Sequence, residues 1–128
     1  HITLAYFEKK STVDYIGAVQ GVPVCFDAKE CHTDTFPLQN VHQHQMEFME
    51  EYEEQDGISF LLIYFSHRQE CYYLRFAEMK KYWDRMKAGG PKHFKYAELE
   101  KEFFVPCGNG AAIHYLVTLQ KDLKERKQ

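Results

Sequence analysis

Two aspartates and a lysine occupy matched positions near the start of the chain. A two-residue turn at Gln20-Gly21 would place Asp14 directly opposite Asp27, where side chains lie about 4.5 to 5.5 Å apart and like charges repel. Lys29 would point to the same side of its strand as Asp27, because side chains alternate along a strand. A divalent cation would offset the repulsion, so this arrangement indicates a metal-dependent nuclease site.

The same residues also have a simpler interpretation. Asp-x-Lys occurs on many solvated strand faces, and short motifs have a high false-positive rate without structural context. The second strand, however, alternates between an apolar face and a face that carries the charges: Val22, Val24, Phe26 and Ala28 against Pro23, Cys25, Asp27 and Lys29. This alternation predicts a strand whose apolar face is buried, so that the fold fixes the position of the charged side chains.

The composition indicates one globular domain. A chain of 128 residues can bury a single core, and its 45% hydrophobic and 16% aromatic content excludes a disordered chain. The longest apolar run, Phe60 to Phe65, is too short to span a bilayer, and the chain does not begin with a secretory leader. We therefore expect a cytoplasmic protein without a membrane anchor.

Four cysteines are scattered without a Cys-x-x-Cys pair: Cys25, Cys31, Cys71 and Cys107. We expect buried, reduced thiols and no disulfides. A zinc site made by Cys31-His32 with His42 and His44 is an alternative, although its spacing matches no familiar zinc finger. Surface positions on a helix are the favoured interpretation of His42 and His44.

The charge is segregated although the formal total is only −3. An acidic block extends from Glu47 to Asp56 and is followed by a basic block: Lys80, Lys81, Arg85, Lys87, Lys92 and Lys95. A local positive surface binds phosphates despite an acidic total. Two ordinary solvated helix faces explain the same pattern equally well.

Hydrophobic periodicity predicts the elements that hold these residues. His1 to Phe7 is typical of a strand before the hairpin, and a helix is expected between Pro37 and Asp56-Gly57. The inward stripe of this helix is spaced by three and four: Leu38, Val41, Gln45, Phe48, Met49 and Tyr52. The polar exception is Gln45, which needs hydrogen-bond partners. A metal-bound water or phosphate would serve, and so would a buried backbone group.

The second half of the chain continues the sheet. Ile58 to Phe65 is nearly all apolar and predicts a strand covered on both faces, and Cys71 to Phe76 predicts its neighbour. Helices are expected at Ala77 to Ala88 and at Tyr96 to Phe103, and residues 117–128 are expected to form a solvated helix or tail. Together the elements predict a mixed α/β sandwich.

Six segments in this order resemble the RecU-type Holliday junction resolvases, which belong to the restriction-endonuclease-like superfamily: Ser11 to Gly17, Phe26 to Glu30, Phe36 to Leu38, His44-Gln45, Gly57 to Phe60, and Gly89 to Lys92. The resemblance covers nearly all of residues 2–116. It implies one nuclease domain over residues 1–128, with a mixed central β-sheet flanked by helices. It also implies an endonuclease that nicks four-way DNA junctions symmetrically in recombination and repair.

Carried over position by position, the resemblance makes Asp14 and Asp27 the acidic metal ligands, Lys29 the catalytic lysine and Gln45 the site glutamine. The carbonyl of Ala28 would add an oxygen ligand. Mg²⁺ suits such a site because it retains several waters, one of which can attack the phosphate, and Mn²⁺ is the expected substitute. Lys29 would contact the scissile phosphate or lower the pKa of the water, and Gln45 would orient one of these two groups.

The chain departs from the family pattern at one of these site residues and at one position elsewhere. The family usually has Glu where this chain has Asp27, and an acidic residue where it has His114. Its N-terminal helix and the stalk that enters the junction would lie upstream of His1 and are absent from this sequence. Thr12 and Lys92, which lie in matched segments, are expected to contact DNA.

Two symmetric nicks require a two-fold dimer, for which the strand near His1 and exposed aromatics at Tyr72 and Tyr73 are candidate contacts. Alternative functions are a nuclease of the same superfamily that cuts duplex or flap DNA, and a catalytically silent DNA-binding partner module in recombination. A zinc-structured interaction domain is a third alternative.

Overall fold

The structure is a computed structural model that describes the backbone of Leu4–Tyr6 and all of Val13, residues 15–105 and Asp122. Its strands and helices follow one another in this order: β1 (Leu4–Tyr6), β2 (Tyr15–Val19), β3 (Val22–Cys31), β4 (Thr35–Pro37), a 3₁₀ turn (Leu38–Asn40), α1 (Gln43–Glu54), β5 (Ile58–Phe65), β6 (Glu70–Arg75), α2 (Phe76–Lys87), β7 (His93–Lys95), two 3₁₀ turns (Tyr96–Glu98 and Lys101–Phe103) and β8 (Phe104–Val105).

Among the described residues, six strands form one mixed sheet in the order β1-β2-β3-β5-β6-β8, and β4 pairs with β7 in a separate ladder. Strands β3 and β5 are parallel, whereas the other neighbours in the large sheet are antiparallel. The connection between the parallel strands contains α1, as a parallel crossover requires. The predicted mixed sheet with flanking helices is confirmed.

The hairpin of β2 and β3 has the predicted turn and register. Gln20 and Gly21 both have positive φ, 51° and 82°, which matches a type I′ turn. The ladder pairs Val19 with Val22 and continues to Tyr15 with Phe26. The next pair expected from the sequence involves Asp14, which lies outside the described residues.

Strand β3 is buried on both faces along part of its length, whereas its sequence predicts burial of the apolar face alone: Val24, on the apolar face, is 2% exposed. Cys25 and Asp27 are 0% and 3% exposed, whereas Ala28, on the apolar face, is exposed. The face that carries Cys25 and Asp27 is buried because α1 packs against it. Ser59 pairs with Cys25 across the sheet, and its hydroxyl donates to the carbonyl of Met49 in α1 at 3.1 Å. The Cys25–Asp27 face therefore lies under the helix.

The opposite face of the sheet is joined by stacked aromatic rings. Tyr15 stacks on Phe26 with ring centroids 4.6 Å apart, Phe26 on Phe60 at 4.9 Å, and Phe60 on Tyr73 at 4.2 Å. These four rings come from β2, β3, β5 and β6 in spatial order. Because stacked rings add stability beyond the area that they bury, the row fastens the hairpin to the centre of the sheet.

The predicted helix from Tyr96 to Phe103 is wrong. The chain forms two 3₁₀ turns separated by Leu99 and Glu100, whose backbones are extended. Leu99 is buried, and the Glu100 N–H donates to the Tyr72 hydroxyl at 3.0 Å. These contacts with the core hold the segment out of a continuous helix. The strand Ile58–Phe65 has the predicted bounds, and α2 lies within one residue of those expected.

The exposed aromatics expected on β6 are also wrong. Tyr72 and Tyr73 are both 0% exposed, because β6 lies between β5 and β8 and is covered on both faces. Their hydroxyls donate to buried carboxylates: Tyr72 to Glu78 at 2.6 Å and Tyr73 to Asp122 at 2.7 Å. They therefore belong to the core and are not candidates for a dimer contact.

The cysteines differ in redox state. Cys25 and Cys31 are free and buried, as expected, whereas Cys71 is disulfide-bonded. The prediction of no disulfides is therefore wrong, because spacing along the chain does not show which distant thiols folding brings together. No helix in the described part of the chain has the length and apolar character needed to cross a membrane.

Candidate active site

Three of the four predicted site side chains meet where β3 passes under the first turn of α1. The Lys29 ammonium lies 2.9 Å from Asp27 Oδ2, and Gln45 Nε2 donates to the same oxygen at 2.9 Å. The fourth residue, Asp14, lies outside the described residues. The alternation of β3 puts Asp27 and Lys29 on one face, and the helix brings Gln45 onto it.

The burial of these side chains explains their pairing. Asp27 is 3% exposed and Gln45 is 6% exposed, and a buried carboxylate is tolerated only when charge and hydrogen bonds compensate its desolvation. Lys29 supplies the positive charge and Gln45 an uncharged donor. The Lys29 side chain retains 19% exposure, which makes it the most accessible of the three.

Gln45 combines a structural contact with a site contact. It stands three residues after His42, the N-terminal cap residue of α1, and its Oε1 accepts the His42 backbone N–H at 3.1 Å. Its other end faces Asp27. One predicted alternative, a bond to a backbone group, is thus present at the carbonyl end. The expected contact with a water or phosphate stays a prediction.

Sequence reasoning missed a polar support beneath α1. Glu53 accepts the backbone N–H of Ser59 at 2.7 Å, and the Ser59 hydroxyl lies 3.2 Å from the Cys25 thiol. Burial raises the pKa of Cys25 to about 12, so this group is a neutral thiol. The signal was Ser59 itself, a small polar residue in an otherwise apolar and aromatic strand.

The basic block does not form a uniform positive face. Lys80 lies 3.5 Å from Glu50 and 3.1 Å from Asp84, and Arg85 lies 2.7 Å from Glu98. The expected DNA contact Lys92 is exposed, and its role stays a prediction. The other expected contact, Thr12, lies outside the described residues.

The residues proposed for zinc have other partners. The Cys31 thiol donates to the carbonyls of Thr33 and Thr35, at 3.2 and 3.3 Å, and His32 Nδ1 lies 2.7 Å from the Ser66 hydroxyl. His42 and His44 are exposed, as expected, and their rings stack with centroids 5.5 Å apart. Across the described part of the chain, no three His, Cys, Asp or Glu side chains are grouped so that they could hold a metal ion.

A known protein family matches most of this chain. The family model described as "Recombination protein U" matches residues 1–121. The chain belongs to the RecU family. This membership confirms the resemblance seen in the sequence, which rested on six short segments in the same order.

Several similar RecU relatives carry the name Holliday junction resolvase RecU. Those of Listeria welshimeri and Staphylococcus saprophyticus are 38% identical over 119 and 122 residues, which are 91% and 94% of this chain and 59% of each relative. That of Levilactobacillus brevis is 43% identical over 99 residues, 77% of this chain and 49% of the relative. The chain therefore spans between 49% and 59% of the length of these relatives.

Proposed function

We propose that this chain carries the nuclease centre of a Holliday junction resolvase, which hydrolyses phosphodiester bonds in four-way DNA as a two-fold dimer. The observation that carries the proposal is the convergence of Asp27, Lys29 and Gln45 in a chain of the RecU family. The names of the relatives supply the substrate class. Two centres related by symmetry would give the two symmetric nicks that resolution requires.

The donor set fits a hard divalent cation. Asp27 would hold it together with Asp14 and the Ala28 carbonyl, and carboxylate and carbonyl oxygens are ligands that Mg²⁺ prefers, with Mn²⁺ as a substitute. A bound cation of this kind stabilises charge on the phosphoryl oxygens and activates a water. The free Cys25, on the same face of β3, is a neutral thiol and is not a ligand in this proposal.

The protein groups then have separate roles. Lys29 is the partly exposed member and binds a non-bridging oxygen of the scissile phosphate, where its charge stabilises the transition state. Gln45 is buried and holds Asp27 Oδ2, which limits rotation of that carboxylate. The Asp27 side chain is one methylene shorter than the Glu usual in the family, so its fixed orientation matters more for where its oxygens lie.

We expect Asp14→Ala and Asp27→Ala, made in the complete protein, to slow Mg²⁺-dependent cleavage of a labelled four-way junction by roughly 100- to 1,000-fold or more. Labels on two opposing strands would show whether both nicks are lost together. The same assay with linear duplex and flap DNA of matched sequence would separate a junction resolvase from another nuclease of the superfamily.

The matched control is Glu30→Ala, which removes an exposed acid from the same strand. It should cleave at nearly the rate of the unmodified protein. Circular dichroism and thermal melting would verify that each variant is folded. Undiminished junction cleavage by folded Asp27→Ala would refute the proposed centre.

A further inference from the structure

We propose that the backbone N–H of His42 is a positioning group for the proposed nuclease centre. It sets the orientation of the Gln45 amide and, through Gln45, that of the Asp27 carboxylate. The inference rests on the proposed function for its effect on cleavage. Its structural part concerns only groups within this chain.

The two ends of a glutamine amide are not interchangeable, because the carbonyl only accepts hydrogen bonds and the NH₂ group only donates them. In Gln45 the carbonyl faces the His42 N–H at 3.1 Å, and the NH₂ group faces Asp27 Oδ2 at 2.9 Å. Turning the amide by 180° would set two acceptors against each other at Asp27 and two donors against each other at His42. Both contacts therefore select one orientation.

The start of α1 makes this N–H available. The cap residue precedes the helical hydrogen-bond ladder, so its N–H has no acceptor within the helix, and a Gln three residues later can reach back to it. His42 has the extended backbone of a cap residue, with φ −81° and ψ 151°. Because Gln45 is 6% exposed, its polar atoms depend on protein partners rather than on solvent.

Gln45 and Lys29 both contact the same oxygen of Asp27, but they differ in rigidity. Oδ2 accepts a hydrogen bond from Gln45 and forms an ion pair with the Lys29 ammonium, 2.9 Å away. Lys29 has a long, flexible and partly exposed side chain, whereas Gln45 is buried and fastened to the helix start. We infer that the His42 N–H, through Gln45, limits the orientation of the Asp27 carboxylate more than Lys29 does.

Proline at position 42 tests this directly, because it removes the backbone N–H together with the imidazole and fits the local backbone. Its ring requires φ near −65° and an extended preceding residue. His42 at φ −81°, and Val41 at φ −111° and ψ 121°, come close to both requirements. The comparison variant is His42→Ala, which also lacks the imidazole but keeps the N–H, so the difference between the two variants reports on the N–H.

We expect single-turnover junction cleavage to be roughly tenfold slower in His42→Pro than in His42→Ala, the loss that corresponds to one hydrogen bond. In a Gln45→Met background the same pair should cleave at equal rates, because the N–H then has no amide to orient. Equal rates of His42→Pro and His42→Ala with Gln45 present would overturn the inference. So would a tenfold difference that persists with Gln45→Met, because the effect would then be a general one on the helix.

A second readout does not depend on cleavage. In ¹⁵N-labelled, metal-free protein, the Gln45 side-chain NH₂ resonances should move toward those of a free glutamine in His42→Pro but not in His42→Ala. Unchanged resonances in His42→Pro would overturn the inference even if Asp27→Ala is inactive and the proposed function stands. If the resonances move in His42→Pro but the complete, unmodified protein cleaves no junction, the positioning role is supported and the proposed function is contradicted.

Discussion

Asp27 and Glu78 are both buried carboxylates, 3% and 5% exposed, but they are surrounded by different donors. Asp27 is held by the ammonium of Lys29 and the amide of Gln45. Glu78 accepts the hydroxyls of Tyr72 and Tyr82, each at 2.6 Å, and the Arg75 guanidinium lies 3.7 Å from it.

The two hydroxyl donors to Glu78 belong to the core, whereas the more distant Arg75 side chain is 16% exposed. Tyr72 and Tyr82 are 0% and 1% exposed, and burial together with Glu78 raises the pKa of both phenols above the ordinary tyrosine range. Asp27 instead shares one oxygen with a lysine whose side chain is 19% exposed. A carboxylate fastened by packed phenols stabilises the fold, whereas one paired with an accessible lysine can exchange contacts with a ligand.

The largest expected effect that separates the two carboxylates is on catalysis. Asp27→Asn should slow Mg²⁺-dependent junction cleavage by roughly 100- to 1,000-fold, because it removes a charged ligand from the proposed centre. Glu78→Gln should stay within about threefold of the unmodified rate when assayed well below its melting temperature. Single-turnover kinetics would measure both rates. Similar losses of rate in the two variants would contradict a catalytic role for Asp27 and a purely structural role for Glu78.

The second effect concerns the free energy of unfolding, which should fall more in the Glu78 variant than in the Asp27 variant. Glu78→Gln leaves one of two buried hydroxyls without a good acceptor and should cost about 2 kcal/mol. Asp27→Asn should cost less, about 1 kcal/mol or under, because its charged partner is partly exposed. Urea unfolding of both variants would measure the difference. A greater loss in Asp27→Asn would show that Asp27 is mainly structural.

The smallest effect concerns alkaline pH. The pKa of Tyr82 is raised above its ordinary value of 10.0 by burial and by its bond to Glu78. Above pH 10 the phenol of Tyr82 keeps its proton in the native state but loses it in the unfolded chain. The free energy of unfolding therefore falls as pH rises. Tyr82→Phe should lose about 1 kcal/mol at neutral pH and show a shallower alkaline decline in urea titrations. An unchanged alkaline slope would contradict this account of the Glu78 cluster.

Features that depend on neighbouring residues were predictable from the sequence. The turn at Gln20-Gly21 follows from the backbone freedom of glycine and the strand pattern around it, and the strand Ile58–Phe65 from its apolar run. Placing Asp27 and Lys29 on one face requires only the alternation of a strand. Gln45 was visible as the polar exception on an apolar stripe.

Features that depend on distant contacts were not predictable in this way. The sequence by itself determined which side chains share a face of β3, because that periodicity is a property of the extended backbone. Only the tertiary structure decided that this face lies under α1, and that Gln45 there joins Asp27 to the His42 N–H. The side on which a helix packs depends on contacts far apart in the chain, and no local pattern contains them.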